Sequence, residues 1–261
     1  MKKTRLFKIP SDFPPEFREF VGQLALYDSS SSPEARVYFI DRGDGFYLKQ
    51  SSKGSLKLEA EMTGYFHSKG LGAEVVSYVS DVYDWLLTTA VPGEDAVHPR
   101  YLEKPERLSE VLGQELRRLH ELDVDGCPVM HRTDDFLDLA ERNYRLGHFN
   151  PALFESFFSF SSAEEAYKVL QEGKDMFQSR VLLYGDYCLP NVMLENWRLT
   201  GFIDVGTGGI GDRHIDLFWG IWTLNFNLQT NEYADRFLDA YGRDVLNSEL
   251  FPVVAAAEVF G

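Results

Sequence analysis

The sequence predicts an α+β fold, on three observations. Short strand-like runs joined by tight turns fill the first ninety residues. A Pro92-Gly93 breaker then follows an apolar strand, which marks a hinge. Beyond it, amphipathic helical patterns dominate, interrupted by a hairpin in the second half of the chain.

The elements follow in order. Pro10, Pro14 and Pro15 precede a short helical pattern from Glu16 to Leu26. Residues 28–33 (Asp-Ser-Ser-Ser-Ser-Pro) form a polar loop. Val37 to Ile40 is a strand, residues 41–45 a tight turn, and Phe46 to Lys49 the returning strand. A hairpin after a small-residue loop suits phosphates, because backbone N–H groups can point inward. A helix is expected from Leu56 to Ser68, with Leu58, Met62 and Tyr65 as its apolar stripe. Glu59 and Glu61 flank that stripe on opposite edges, and periodicity does not choose between them. Trp85 to Val91 is the strand that breaks at Pro92.

Leu108, Leu112, Leu116, Leu119 and Leu122 describe an amphipathic helix ending near His120. A lone His between leucines reads as a structural group. Phe136 to Leu146 and Ala163 to Gln171 are further helices. Asp216 opens an apolar helix with Phe218, Trp219, Ile221, Trp222 and Leu224, and a last amphipathic helix holds Tyr233, Phe237, Leu238 and Tyr241. Residues 206–211 are glycine-rich but lack the βα context of a dinucleotide fingerprint.

The chemistry gathers around residues 184–191, Tyr-Gly-Asp-Tyr-Cys-Leu-Pro-Asn. Val181 to Leu183 is a buried strand that delivers this loop. Val192 to Leu194 leaves it, Asn196-Trp197 turns, and Leu199 to Ile203 returns to Asp204. If those last strands pair, Asp204 comes back beside Asn191. Asp186, Asn191 and Asp204 then bring oxygen atoms to one place. Mg²⁺ takes one or two protein oxygen ligands and leaves the rest to water and phosphate. Asn191 and Asp204 fit that role, and Asp186 is placed to accept a proton from a hydroxyl. An isolated D-x4-N is ordinary loop composition; the hairpin and the third carboxylate raise it above that.

The series Tyr184-Gly-Asp186-x4-Asn191, Gly201-Phe-Ile-Asp204 and Asp212-x3-Asp216 resembles the aminoglycoside 3'-phosphotransferase family, from about Asp28 to the C-terminus. Tyr184 stands where that family usually has His. The resemblance implies a two-lobed, protein-kinase-like fold. A small N-terminal antiparallel-sheet lobe with one helix (1–91) would bind nucleotide, and a larger, mainly helical lobe (92–261) would hold the catalytic and acceptor sites. It implies that Lys49 contacts ATP phosphates, although GTP is not distinguished, and that Glu59 is its ion-pair partner. It places Ser31 and Ser32 in a nucleotide loop, and Thr89 and Val91 against the adenine through backbone groups. Asp186 becomes the catalytic acid–base, Asn191 and Asp204 the Mg²⁺ ligands, and Asp216 a brace for the catalytic loop. Glu155, Glu258 and Phe260 become contacts for the acceptor. Thr207 and Trp222 stand where relatives commonly carry Arg. A kinase of this fold for another hydroxylated metabolite, or an inactive nucleotide-binding protein, are the alternative readings.

A net charge of −15 over 261 residues argues against nucleic acid and anionic membranes, which need basic patches. It permits a cationic small-molecule acceptor. Cys127 and Cys188 form no metal-type cluster, so reduced thiols are expected. No run reaches the ~20 apolar residues of a membrane span, and residues 1–10 lack the apolar region of a signal peptide. A cytoplasmic monomer or weak dimer is expected.

Overall fold

The structure, a computed structural model, describes residues 3–154 and 158–261. In chain order the elements are β1 (Thr4–Leu6), α1 (Pro15–Val21), β2 (Ala25–Asp28), β3 (Arg36–Asp41), β4 (Phe46–Ser52), α2 (Lys57–Ser68), β5 (Val75–Ser80), β6 (Tyr83–Thr89) and β7 (Glu94–Asp95). There follow α3 (Pro99–Leu102), α4 (Pro105–His120), α5 (Arg132–Arg145), α6 (Ala163–Gly173), β8 (Val181–Leu183), β9 (Val192–Glu195) and β10 (Arg198–Phe202). The chain ends with β11 (Gly209–Gly211), α7 (His214–Leu228), α8 (Ala234–Tyr241) and α9 (Leu250–Glu258). Two compact units result. One takes the chain up to Asp95 together with Pro190–Gly206, and the other takes Ala96–Leu189 with Thr207–Gly261.

The first unit is built on a six-stranded antiparallel sheet of order β1-β2-β3-β4-β6-β5. Side chains alternate across it. In β4, Leu48 and Gln50 are buried on one face, which leaves Tyr47 and Lys49 together on the other. Trp85 and Leu87 of β6 join Leu48 in an apolar core with Phe13 and Phe17. Phe13 meets the Trp85 ring edge-on at 5.1 Å. The helical pattern expected over 16–26 is shorter in the structure: α1 ends at Val21, Gly22 turns the chain at φ 51°, and Ala25–Asp28 pairs with β3. The sheet's demand for hydrogen-bond partners overrides local helical periodicity there, and the first unit gains a second, short helix.

Asp84 ties the sheet to α2. It is fully buried and accepts from the Leu56 amide at 2.9 Å, the Tyr78 hydroxyl at 2.9 Å and the Ser80 hydroxyl at 2.6 Å. Burial would raise its pKa, but these donors outweigh it and the carboxyl titrates below its ordinary value. The start of α2 is thereby fixed on the sheet.

The same unit holds a three-stranded sheet of order β10-β9-β7. The β9–β10 hairpin turns at Asn196-Trp197, both at positive φ (52° and 68°), the geometry of a two-residue primed turn. Arg198 pairs with Glu195 and Phe202 with Val192. The Ile203 amide then donates to the Asn191 carbonyl at 3.1 Å, so Asp204 returns beside Asn191.

The second unit is mainly helical around one apolar core. Leu170 of α6, Ile215 and Phe218 of α7, and Val253 and Val254 of α9 pack there with Val181 and Leu183 of β8. β8 pairs antiparallel with β11. Helices α4 and α8 approach so closely that a Cβ on Gly113 would sit 2.3 Å from the Phe237 carbonyl oxygen.

Asn225 of α7 is 7 % exposed, and neither end of its amide has a hydrogen-bond partner among the described residues. A buried polar group left unmatched costs about 1–3 kcal/mol. Asn225→Leu should therefore stabilise the protein by about 1 kcal/mol, raising Tm by roughly 2–4 °C. Calorimetry of the two proteins checks this.

Candidate active site

Two constellations stand out, one in each unit. In the first unit, β4 and α2 bring Lys49 and Glu59 together. The Lys49 Nζ lies 2.8 Å from both Glu59 carboxylate oxygens and 3.0 Å from Asp204 Oδ1. The Lys and Glu side chains are 20 % and 14 % exposed, while Asp204 is 53 % exposed. Burial alone would lower the Lys49 pKa, but Asp204 and Glu59 more than offset it and the ammonium is held above its usual range. Two carboxylates share this one cation. Burial raises the Glu59 pKa, and Lys49 only partly reverses that. Periodicity left Glu59 and Glu61 open; the structure selects Glu59, and Glu61 lies 4.0 Å from Lys57 instead.

These groups open onto a pocket in the same unit, whose lining includes Ser31, Tyr47, Lys49, Glu59, Thr89, Val91 and Asp204. Ser31, Thr89 and Val91 thus line one cavity with Lys49. Ser32 does not line it: it is exposed, and its hydroxyl bonds the Glu34 carboxylate, holding that acid below its ordinary pKa. The Thr89 amide donates to the Glu74 carbonyl at 3.0 Å. Among the lining residues that sequence reasoning missed, Tyr47 and Ser29 are instructive. Tyr47 was legible, because period-two alternation puts it on the Lys49 face. Ser29 was not: its hydroxyl is buried without a hydrogen-bond partner among the described residues, a property that only the fold reveals.

Asp204 adopts φ 56°, a left-handed conformation that Asp tolerates better than most residues. Asn191 and Asp204 supply an amide oxygen and a carboxylate, hard donors of the kind Mg²⁺ takes. No group of three or more His, Cys, Asp or Glu side chains suited to a metal occurs among the described residues. A sparse oxygen pair suits Mg²⁺, which retains waters and substrate oxygens and needs no protein cage.

The second unit holds the Asp186 loop. Asp216, in the first turn of α7, is fully buried. Its two oxygens accept the amides of Tyr184 and Gly185, each at 2.7 Å. His120 Nε2 lies 3.0 Å from the same carboxylate, and the Tyr241 hydroxyl lies 2.8 Å from His120 Nδ1. This network assigns Nε2–H as donor to Asp216 and Nδ1 as acceptor from Tyr241. Burial pushes the His120 pKa down, with Asp216 opposing it, so the ring is neutral. The reading of His120 as structural and Asp216 as a brace holds. Asp212 plays a similar part, accepting the amides of Gln178 and Ser179 and a bond from His214.

Three more features fix the loop. Gly185 has φ 94°, and a Cβ there would meet the Thr207 carbonyl oxygen at 2.1 Å. The Tyr187 hydroxyl donates to the Leu112 carbonyl at 2.9 Å, and the Leu189 amide to the Thr223 hydroxyl at 3.1 Å. The Cys188 thiol is buried, and burial pushes its pKa far up. Tyr184 is fully buried, so its ring is part of the loop's support.

The expected acceptor contacts fare unequally. Glu258 is partly buried and accepts from the Trp219 indole N–H at 2.8 Å. Burial raises its pKa to about 7, the Trp219 bond opposing and the Asp186 charge adding to the rise. Phe260 is corrected by the structure. It is 1 % exposed and packs edge-on to Tyr144 at 5.5 Å, so its ring serves the core and has no face for a ligand. Glu155 lies outside the described residues.

The model of the phosphotransferase enzyme family matches residues 30–252. A probable aminoglycoside 3'-phosphotransferase of Lactococcus lactis subsp. lactis (strain IL1403) is 45 % identical over 250 residues, covering 95 % of each chain. An aminoglycoside 3'-phosphotransferase of Niallia circulans is 28 % identical over 246 residues, 91 % of this chain and 93 % of that one. Among solved structures, aminoglycoside-3'-phosphotransferase of type VIII superposes with a TM-score of 0.76 at 26 % identity, covering 89 % of this chain and 92 % of that one. The chain belongs to the phosphotransferase enzyme family, in its aminoglycoside 3'-phosphotransferase group. Its α+β fold is that of these kinase-like enzymes.

Asp216→Ala would leave two loop amides and His120 without their acceptor. Breaking such a buried network costs about 3–5 kcal/mol, and urea unfolding should register that loss. Glu258 gives a pH signature. Its folded pKa, about 7, lies above the ordinary ~4.3 of an unfolded Glu. Its contribution to stability is intact below ~4.3 and is lost as pH rises through 7. Glu258→Gln, which cannot ionise, should gain stability relative to the native protein across that window, by on the order of 2 kcal/mol, and stay level above it. Unfolding at pH 5 and pH 8 measures the difference.

Proposed function

We propose that the protein transfers the γ-phosphoryl group of ATP to the 3'-hydroxyl of an aminoglycoside antibiotic, in the cytoplasm, and so confers resistance. The observation that carries this reading is the Lys49 ammonium held between Glu59 and Asp204 at the edge of a pocket. The names of the relatives, aminoglycoside 3'-phosphotransferases, support the acceptor.

Phosphoryl transfer asks a protein for position and charge neutralisation more than for covalent chemistry. Lys49, charged and aimed by Glu59, contacts nucleotide phosphate oxygens. Ser31 contributes through the loop that carries it, and Tyr47 offers a ring face to the base. Thr89 and Val91 meet the adenine through backbone groups. Because the Thr89 amide already serves Glu74, its carbonyl is the group it offers, an acceptor matched to the exocyclic amine of adenine. Asn191 and Asp204 would hold Mg²⁺, which when bound neutralises charge on the phosphates. Asp186 orients the attacking hydroxyl and takes its proton. Asp216 keeps that loop in one conformation through the Tyr184 and Gly185 amides. Glu258 and Glu155 attract the acceptor's ammonium groups, in keeping with a net charge of −15.

Kanamycin and neomycin incubated with the protein, ATP and Mg²⁺ should each gain one phosphoryl group by mass spectrometry. Asp186→Ala should lower turnover by about 10²–10⁴-fold with nucleotide binding intact. Two unmodified antibiotics, alongside phosphorylation of another hydroxylated metabolite, would reassign the acceptor. An Asp186→Ala protein of native activity would remove that residue from the mechanism.

A further inference from the structure

The Cys188 thiol is a buried group that the phosphoryl-transfer steps leave unused. It is 9 % exposed and sits two residues beyond the half-buried Asp186. Backbone and side chain both tie the two residues together. The Cys188 amide donates to the Asp186 carbonyl at 2.7 Å, which folds the loop back on itself. The Cys188 thiol bonds the Asp186 carboxylate, and the Thr223 hydroxyl bonds the same sulfur. A carboxylate has no proton to give, so the thiol is the donor in the first of these bonds.

The proton on Thr223 can be placed as well. Thr223, on α7, is 1 % exposed. A hydroxyl carries two lone pairs and one proton. The Leu189 amide donates to the Thr223 oxygen at 3.1 Å, and the Asn227 side-chain amide donates to it at 3.2 Å. Both lone pairs are then taken, and the single proton is left for the Cys188 sulfur. Asn227 is itself held in place, because it also donates to the Thr223 carbonyl at 2.8 Å. The bonds therefore run in one direction, from Asn227 to Thr223 to Cys188 to Asp186, and each donor polarises the next. Burial and the Asp186 charge keep the thiol protonated, so the last group in the series stays a donor.

We propose that Cys188 is a positioning residue for phosphoryl transfer: its S–H, oriented by Thr223, holds one oxygen of the Asp186 carboxylate and turns the other toward the attacking hydroxyl. The inference rests on the reading of Asp186 as the acid–base and extends it to the groups that aim that acid. Orientation of the nucleophile is a large part of what this reaction asks of a protein. A thiol suits the task. An ammonium or guanidinium beside Asp186 would form an ion pair and lower the basicity of the carboxylate, whereas S–H is a weak donor. A buried Cys can also serve as a small apolar filler, but a filler has no need of a hydroxyl aimed at its sulfur.

The test is steady-state kinetics with kanamycin and ATP, with Tm measured alongside, for Cys188→Ala and Cys188→Ser. These two variants are of similar size and differ in one donor. Cys188→Ala should lower kcat about 5–10-fold and leave both KM values unchanged, because the bond aims the acid in the transition state. Cys188→Ser restores a donor and should recover most of that loss. Thr223→Val should also lower kcat, and combining it with Cys188→Ala should lower kcat no further than the worse single variant, because both act through one bond. A second measurement needs no turnover. The S–H stretch of Cys188, read by Raman spectroscopy and assigned by its loss in Cys188→Ser, should move to higher frequency in Asp186→Asn, where the acceptor is no longer charged. Cys127, whose thiol donates to the Val129 carbonyl, supplies an unmoved reference band. Equal kcat in the Ala and Ser variants would overturn the proposal, as would a Cys188→Ala kcat within about twofold of native, a loss carried by either KM, or an S–H band that stays in place. If Cys188→Ala does not fold, the Raman shift decides. A native protein that leaves kanamycin unmodified would sink the functional reading and this inference with it. Native phosphorylation of kanamycin with Ala and Ser variants alike would sink this inference alone.

Discussion

One ammonium shared by two carboxylates is the constraint around which the first unit is arranged. Lys49 cannot be partly buried without a counter-charge, because the desolvation cost of an isolated ion exceeds what packing supplies. Glu59 meets that need from α2, and α2 is anchored by Asp84 at its first turn. Asp204 meets it from the end of the β9–β10 hairpin, whose register is set by a two-residue turn. The sheet, the helix and the hairpin therefore have to agree on one position for one nitrogen. Their agreement also leaves the cluster with excess negative charge, which keeps the lysine protonated.

The second unit solves a related problem with neutral donors. A loop that carries a reactive acid has backbone amides to satisfy, and a buried Asp216 accepts two of them. The neutral His120 ring and the Tyr241 hydroxyl extend the chain of bonds to α8. A wholly buried network is costly if any member is missing, and here the Asp, the His and the Tyr all have partners. Order in the Asp186 loop is thus maintained by groups that never need to touch a substrate.

Much of this was legible in the residues, and the exceptions have physical causes. The hairpin from Val192 to Asp204 could be read because Asn196-Trp197 separates two apolar runs, and register follows from turn length. Lys49 could be placed because strand alternation is local. Glu59 could not be separated from Glu61 by periodicity, since both flank one stripe; a partner 10 residues away decides between them. The strand at Ala25–Asp28 was hidden, because its pairing partner β3 supplies the hydrogen bonds that its own sequence does not advertise. The burial of Phe260 was equally hidden: a terminal aromatic reads as available until Tyr144 is seen beside it. The orphaned hydroxyl of Ser29 and the unmatched amide of Asn225 are properties of surroundings and have no sequence signal.

Both cysteines lie below the surface, Cys127 at 6 % and Cys188 at 9 % exposure. A thiol reacts as its thiolate, and burial suppresses that form at Cys188, two residues from the acid of the loop. Reagents that alkylate thiols find little to attack at these two positions while the chain is folded. Labelling at these two positions would therefore report when the fold opens.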